Sequence, residues 1–149
     1  MITLESFKLL NPKICRLERG SGGVPEITFQ EVADCLAKMS PAAAAWARMK
    51  YGLQGTYSIK VQQHIERRLI EDGEGKDGFL NTYWAGVVQL AINCGLQEKS
   101  LTNRSKAQAV GLRWWTKNNE RHLSKCLFFL DELDYEVRAA VNAWNRGDL

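Results

Sequence analysis

The chain is poor in the residue groupings that most catalytic and metal chemistry needs. Its four cysteines, Cys15, Cys35, Cys94 and Cys126, lie 20, 59 and 32 residues apart. That fits neither paired CxxC zinc ligation nor the dense disulfide framework of a small secreted domain. Reduced thiols and no bound metal are the expectation. There are two histidines, and neither has a second ligand at helical spacing. His64 falls beside an apolar stripe, where packing is its expected role; His122 is the better functional candidate. The chain has no HExxH, no GxSxG and no GxxxxGK[ST], and the glycine run Gly20, Ser21, Gly22, Gly23 lacks the strand and helix that would make it a phosphate loop. The carboxylates Glu71 and Asp72 adjoin a glycine-rich loop, where a raised pKa for acid catalysis would be hard to sustain. These absences argue against an enzyme, a cofactor and a small-molecule substrate.

Long hydrophobic runs are missing as well. No stretch approaches the roughly 18 to 20 apolar residues that span a bilayer, and MITLESFKLLNPK lacks the apolar segment of a secretory signal. No membrane partner is expected, and the expected location is the cytoplasm.

What is present is an ordinary globular composition: 149 residues, 45% apolar and 25% charged, enough for one compact domain with a real core. Pro12, the glycine run and Pro25 interrupt residues 1–25, which read as an irregular N-terminal arm with room for a short strand over Ile2 to Leu10. Residues 26–149 read as helical. Thr28 with Glu31 is a capping box opening a helix through Val32, Leu36 and Met39. Ser40-Pro41 starts a second, propagated by four alanines and stopped at Gly52. Ser58 can cap a third, carrying Val61, Ile65 and Leu69 up to a loop at Asp72 to Gly75. Asp77 opens the most apolar helix, with Phe79, Tyr83, Trp84, Val87, Val88 and Ile92 at spacings of three and four, closing at Gly95. A short helix over Ser100 to Val110 ends at Gly111. From Arg113 a long pattern runs through Leu123, Leu127, Leu130, Val137 and Trp144, with Asp134 a possible internal cap. The expected fold class is all-α, a compact helical bundle, with Trp46, Trp84, Val87, Val88, Leu123 and Leu127 in its core.

The net charge of +3 is unevenly spread. Residues 100–126 hold six bases against one acid, and residues 127–149 hold five acids against two arginines. Within the basic stretch, Ala107, then Gly111 flanked by Val110 and Leu112, then an amide-rich basic helix, outline a helix-turn-helix. Ala107 lets a second helix approach, Gly111 permits the turn, and Val110 with Leu112 packs that turn onto the core. Lys117 stands where the common spacing has an apolar residue. Arg113, Lys117 and Arg121 then recur every four residues beside Thr116 and Asn118, so cations and amides face phosphates and base edges. The candidate DNA-binding residues are Asn103, Arg104, Lys106, Arg113, Thr116, Lys117, Asn118, Arg121 and Lys125. Trp114 and Trp115 cannot share a face, and core packing is expected for both.

The order of features resembles a known group. Cys35 followed by LAKMSPAAAAWARMKYGL, His64 followed by IERRL, Tyr83 followed by WAGVVQLA, and Ala107 followed by QAVGLRWWTKN are similar to the Q-type late-gene antitermination proteins of lambdoid bacteriophages. The resemblance covers roughly residues 30–130 and is to a small form without the paired zinc-binding cysteines of larger members. It implies a factor that binds a double-stranded DNA element near the late promoter, engages host RNA polymerase paused with its sigma factor, and gives terminator read-through without catalysis. Alternatives are a phage helix-turn-helix regulator acting without polymerase loading, and a helical adaptor that binds no DNA. Because the cysteines lack ligand spacing, chelator treatment should leave helicity by circular dichroism and DNA affinity unchanged. Stoichiometric zinc in elemental analysis would overturn that expectation.

Overall fold

A computed structural model describes residues 1–13 and 27–148. Among them the chain is mostly helical and forms no strand, with one isolated antiparallel bridge between Lys76 and Phe79. Six α-helices lie wholly within the described residues: α1 (Phe29–Ala37), α2 (Pro41–Lys50), α3 (Ser58–Glu71), α4 (Thr82–Gln97), α5 (Asn103–Val110) and α6 (Lys117–Asn145). None is long and apolar enough to cross a membrane. The described residues group into two compact units, Met1–Val61 with Leu133–Leu149, and Gln62–Glu132.

The first unit begins differently from the expected arm. Leu4–Leu10 is a 3-10 helix rather than a strand, and Phe7 and Leu10 are buried. The local reason is polar and apolar at once. Thr3 N donates to Ser6 Oγ at 3.0 Å, closing the first turn, while Ile2, Phe7 and Leu10 recur without the strict alternation of a strand. The 3-10 helix packs on α1 and α2. Residues 14–26, which hold the glycine run, Pro25 and Cys15, lie outside the described residues.

Helices α1 and α2 start where their caps predict. Glu31 N donates to Thr28 Oγ1 and Thr28 N to the Glu31 carboxylate, both at 3.2 Å, and Ala43 N donates to Ser40 Oγ. Gly52 follows α2 because there is no room for a side chain: a Cβ there would sit 2.6 Å from the Arg48 carbonyl oxygen. Ser58 does not cap α3. A 3-10 turn, Gly55–Tyr57, runs straight into the helix, of which Ser58 is the first residue. Asn145 closes the unit by pairing with the backbone of Ile2: its Oδ1 accepts from Ile2 N and its Nδ2 donates to Ile2 O, each at 2.8 Å.

Helix α6 has no internal break, because Asp134 is engaged elsewhere and does not act as a cap. Its Oδ1 accepts from the Trp46 indole at 3.2 Å and from the Tyr51 hydroxyl at 2.5 Å, while Oδ2 accepts from Arg138 Nε at 2.9 Å. Burial pushes the Asp134 carboxyl up, but hydrogen bonds from Arg138 and Tyr51, the Lys50 charge and the Trp46 bond outweigh it and hold the group below its ordinary value. Burial, together with the hydrogen bond to Asp134 and its charge, pushes Tyr51 up to about 12.

In the second unit the apolar helix begins later and ends later than its pattern implies. Asp77 and Gly78 both have positive φ, 52° and 78°, which no helix accommodates, so they make a tight turn beside the Lys76–Phe79 bridge. Phe79 is therefore outside the helix and 77% exposed. Asn81 caps α4, accepting from Trp84 N at 3.0 Å, and the helix passes Gly95 to stop at a left-handed Glu98. Trp84, Val87, Val88 and Leu123 are buried, as is Trp46 in the first unit; Leu127 is half-buried.

Two measurements follow. Trp84→Ala should destabilise the chain by about 3 to 5 kcal/mol in urea denaturation, the cost of emptying a buried aromatic site. Since the folded pKa of Asp134 is depressed, its stabilisation is fully present above the ordinary carboxylate range of about 4 and is lost as pH falls through the folded value. Acid titration of Asp134→Asn should accordingly show less loss of stability below about pH 4 than the parent chain.

Candidate nucleic-acid interface

The site is built within the second unit on α5, the segment that follows it, and the start of α6. Thr102 caps α5, its Oγ1 accepting from Ser105 N at 3.1 Å. The helix ends at Gly111, whose φ of 79° is left-handed, and Leu112 N returns to the Ala107 carbonyl at 2.8 Å. Ala107 is buried and α5 packs on α4. Val110 meets α4 at Gly86, where a Cβ would lie 3.3 Å from Val110 Cγ1, so the helices close up on a residue without a side chain.

The turn is longer than a helix-turn-helix has. Residues 111–116 separate the two helices, against the three or four of that motif. Arg113 to Thr116 therefore form part of the link and not the first turn of α6. The start of α6 is set by the cap: Thr116 N donates to Asn119 Oδ1 at 2.9 Å and Asn119 N to Thr116 Oγ1 at 3.2 Å. Lys117 can stand at its position because it opens the helix on the surface, where no apolar contact is required.

The expected binding residues divide into two sets. Asn103 and Arg104 are exposed in the first turn of α5, Arg113 is exposed in the link, and Lys117, Asn118 and Arg121 are exposed on the first turns of α6. Arg121 donates to Asn118 Oδ1, and the Arg113 guanidinium lies 5.7 Å from the centre of the Trp114 ring. Thr116, although exposed, spends its hydroxyl on the cap. Lys106 and Lys125 are committed inside the unit. Lys106 Nζ is 2.9 Å from Glu120, with its side chain 14% exposed, and Lys125 Nζ is 2.9 Å from Glu74 and 3.3 Å from Asp72. The hydrogen bond to Glu74, with Asp72 beside it, holds Lys125 above its ordinary value.

Glu120 is the residue the spacing did not single out. It also accepts the Trp115 indole N–H at 2.5 Å, so one carboxylate ties α5, the link and α6 together. Burial pushes its carboxyl up, and the hydrogen bonds from Lys106 and Trp115 outweigh that and lower it. Trp115 is half-buried by this contact; Trp114 is 72% exposed rather than in the core. The sequence signal that existed was only the isolation of Glu120 among bases.

His122 belongs to a different cluster. Its Nδ1 is 2.8 Å from the Tyr83 hydroxyl, which also accepts from Asn119 Nδ2 at 2.8 Å, and its ring is 4.4 Å from the Trp84 ring. This cluster packs around the start of α6. Among the described residues no group of three or more histidine, cysteine or acidic side chains could hold a metal, and Cys35, Cys94 and Cys126 are free thiols. Burial pushes Cys126 up to about 12, leaving it protonated and unreactive.

No protein-family model, curated protein or solved structure matches the chain.

Burial holds His122 below its ordinary value of 6.5; Glu74 opposes this, and Arg121 and Lys125 reinforce it. Its neutral form is the one the fold favours, so its contribution is present above the unfolded value and lost as pH falls through the folded one. An NMR titration should place the His122 midpoint below 6.5. A midpoint above that value would contradict the burial described here.

Proposed function

We propose that the chain is a DNA-binding transcription regulator of the antitermination type, holding double-stranded DNA with Arg104, the Arg113 link and the first turns of α6. The observation that carries the reading is the selection among its bases. Arg104, Arg113, Lys117 and Arg121 are all exposed and form no ion pair among the described residues, while the adjacent acid, Glu120, is already neutralised by Lys106. A duplex presents phosphates for such cations and base edges for Arg113 and Asn118.

Engagement of RNA polymerase paused with its sigma factor comes from the resemblance set out above, and it needs no catalytic residue. Two weak contacts, one on DNA and one on polymerase, would reinforce each other because the second becomes effectively intramolecular. The decisive experiment is transcription through a terminator with purified polymerase and sigma factor, with and without the protein. Read-through that depends on the upstream DNA element is the expected result. Stable DNA binding without read-through would leave a simple regulator, and absence of DNA binding would leave an adaptor.

A second measurement reads the DNA contact directly. With Arg113 on a base edge, Arg104, Lys117 and Arg121 on phosphates give a slope of log affinity against log salt of about 2.7 in magnitude for one copy. Lys117→Ala and Arg121→Ala should each flatten it by about one unit. Lys125→Ala should leave it unchanged, because that ammonium is already paired with Asp72 and Glu74. Equal flattening by all three would show that the internal pairs open on binding.

A further inference from the structure

Of the five tryptophans, Trp114 alone is exposed, at 72%, while Trp46 and Trp84 are buried and Trp115 and Trp144 are half-buried. Tryptophan carries the largest apolar surface of any side chain, and leaving it in water forgoes a large burial term. The segment that displays it is not loose. On one side the left-handed Gly111 and the Leu112-to-Ala107 hydrogen bond fix the departure from α5. On the other, the Trp115 indole is bound to Glu120, and Thr116 and Asn119 cap α6 reciprocally. An indole is thus held outward on an ordered link between two anchored neighbours.

Its surroundings are cationic. Arg113 lies against one side of the ring, and Lys117 and Arg121 follow one turn apart on α6. An aromatic face among cations matches one chemistry closely: a nucleobase stacked on the ring with its flanking phosphates on the bases. A paired base inside a duplex cannot take this position, since both its faces are covered by neighbours and it offers only its edges to a groove. An unpaired base offers a face.

We propose that Trp114 is a stacking platform for an unpaired nucleobase, so that this site takes single-stranded nucleic acid, with Arg113, Lys117 and Arg121 on the adjoining phosphates. The inference rests on the nucleic-acid reading above and adds a strand class to it. Phosphate contact is shared by single strands and duplexes; the indole distinguishes them. Because the link that carries the ring is fixed at both ends, binding need not order its backbone.

The test uses the full chain and three labelled probes: a 12-nucleotide DNA strand, the RNA of the same sequence, and the DNA duplex, each followed by fluorescence anisotropy at one salt concentration. Trp114→Ala should weaken the single strand by about 5- to 150-fold, the loss of one stacked base, and leave the duplex nearly unchanged. Trp114→Phe, which keeps an aromatic face, should recover most of that loss. Circular dichroism should be the same for both variants, because the removed side chain is exposed. A loss with the DNA strand alone assigns the site to DNA, and an equal loss with the RNA extends the stacking to either sugar. Unchanged single-strand affinity in Trp114→Ala, with duplex binding by the parent chain intact, overturns the platform and leaves the DNA reading standing. Failure of the parent chain to bind any of the three overturns both.

Discussion

Helix α6 keeps an unbroken backbone through 29 residues, and both compact units take core residues from it: Leu123, Cys126, Phe129 and Leu130 in one, Leu133, Val137 and Val141 in the other. The constraint is sharpest at residues 131–134, where three acids interrupt the apolar pattern. Asp134 would be a helix stop if its carboxylate turned to its own backbone. It bonds instead to Trp46, Tyr51 and Arg138, and Glu132 is taken by Arg68 at 3.0 Å. Side chains that could have ended the helix are thereby turned outward from it, and the spacing of the whole apolar stripe survives.

The candidate interface depends on a second carboxylate. Glu120 removes Lys106 from the pool of available cations and at the same time anchors Trp115. With the Trp115 indole anchored, its neighbour Trp114 is left exposed. The basic character of residues 100–126 is in this way edited by the fold. Two of six positive charges are consumed internally, and the other four are exposed on the first turn of α5, the link and the first turns of α6.

The parts legible in the sequence were those governed by local rules. Thr28 with Glu31, Ser40 with Pro41, and the Gly111 turn are each decided by residues within a few positions, and all three occur as their chemistry requires. Burial of Trp84, Val87 and Val88 followed from helical period alone. Boundaries failed where a stronger local conformer intervened: the positive-φ turn at Asp77 and Gly78 delays α4, and the Thr116 cap delays α6. The pairings of Lys125 with Glu74 and of Lys106 with Glu120 join residues 51 and 14 positions apart, and no spacing rule reports such contacts. Nor could the period of the pattern reveal that Phe7 and Leu10 enter the core, since the segment is too short and its helix is of the tighter kind.

The amide of Asn145 grips the backbone of Ile2, two residues 143 positions apart, and the unit they close is discontinuous in the chain. During synthesis the two units are therefore unequal. Residues 62–132 are contiguous and can assemble as soon as they have emerged from the ribosome, whereas Met1–Val61 waits for the residues from Leu133 onward that complete its unit. Of the two units, the one that starts first is completed second, and in that interval its earlier segment is the portion more exposed to chaperones and to aggregation.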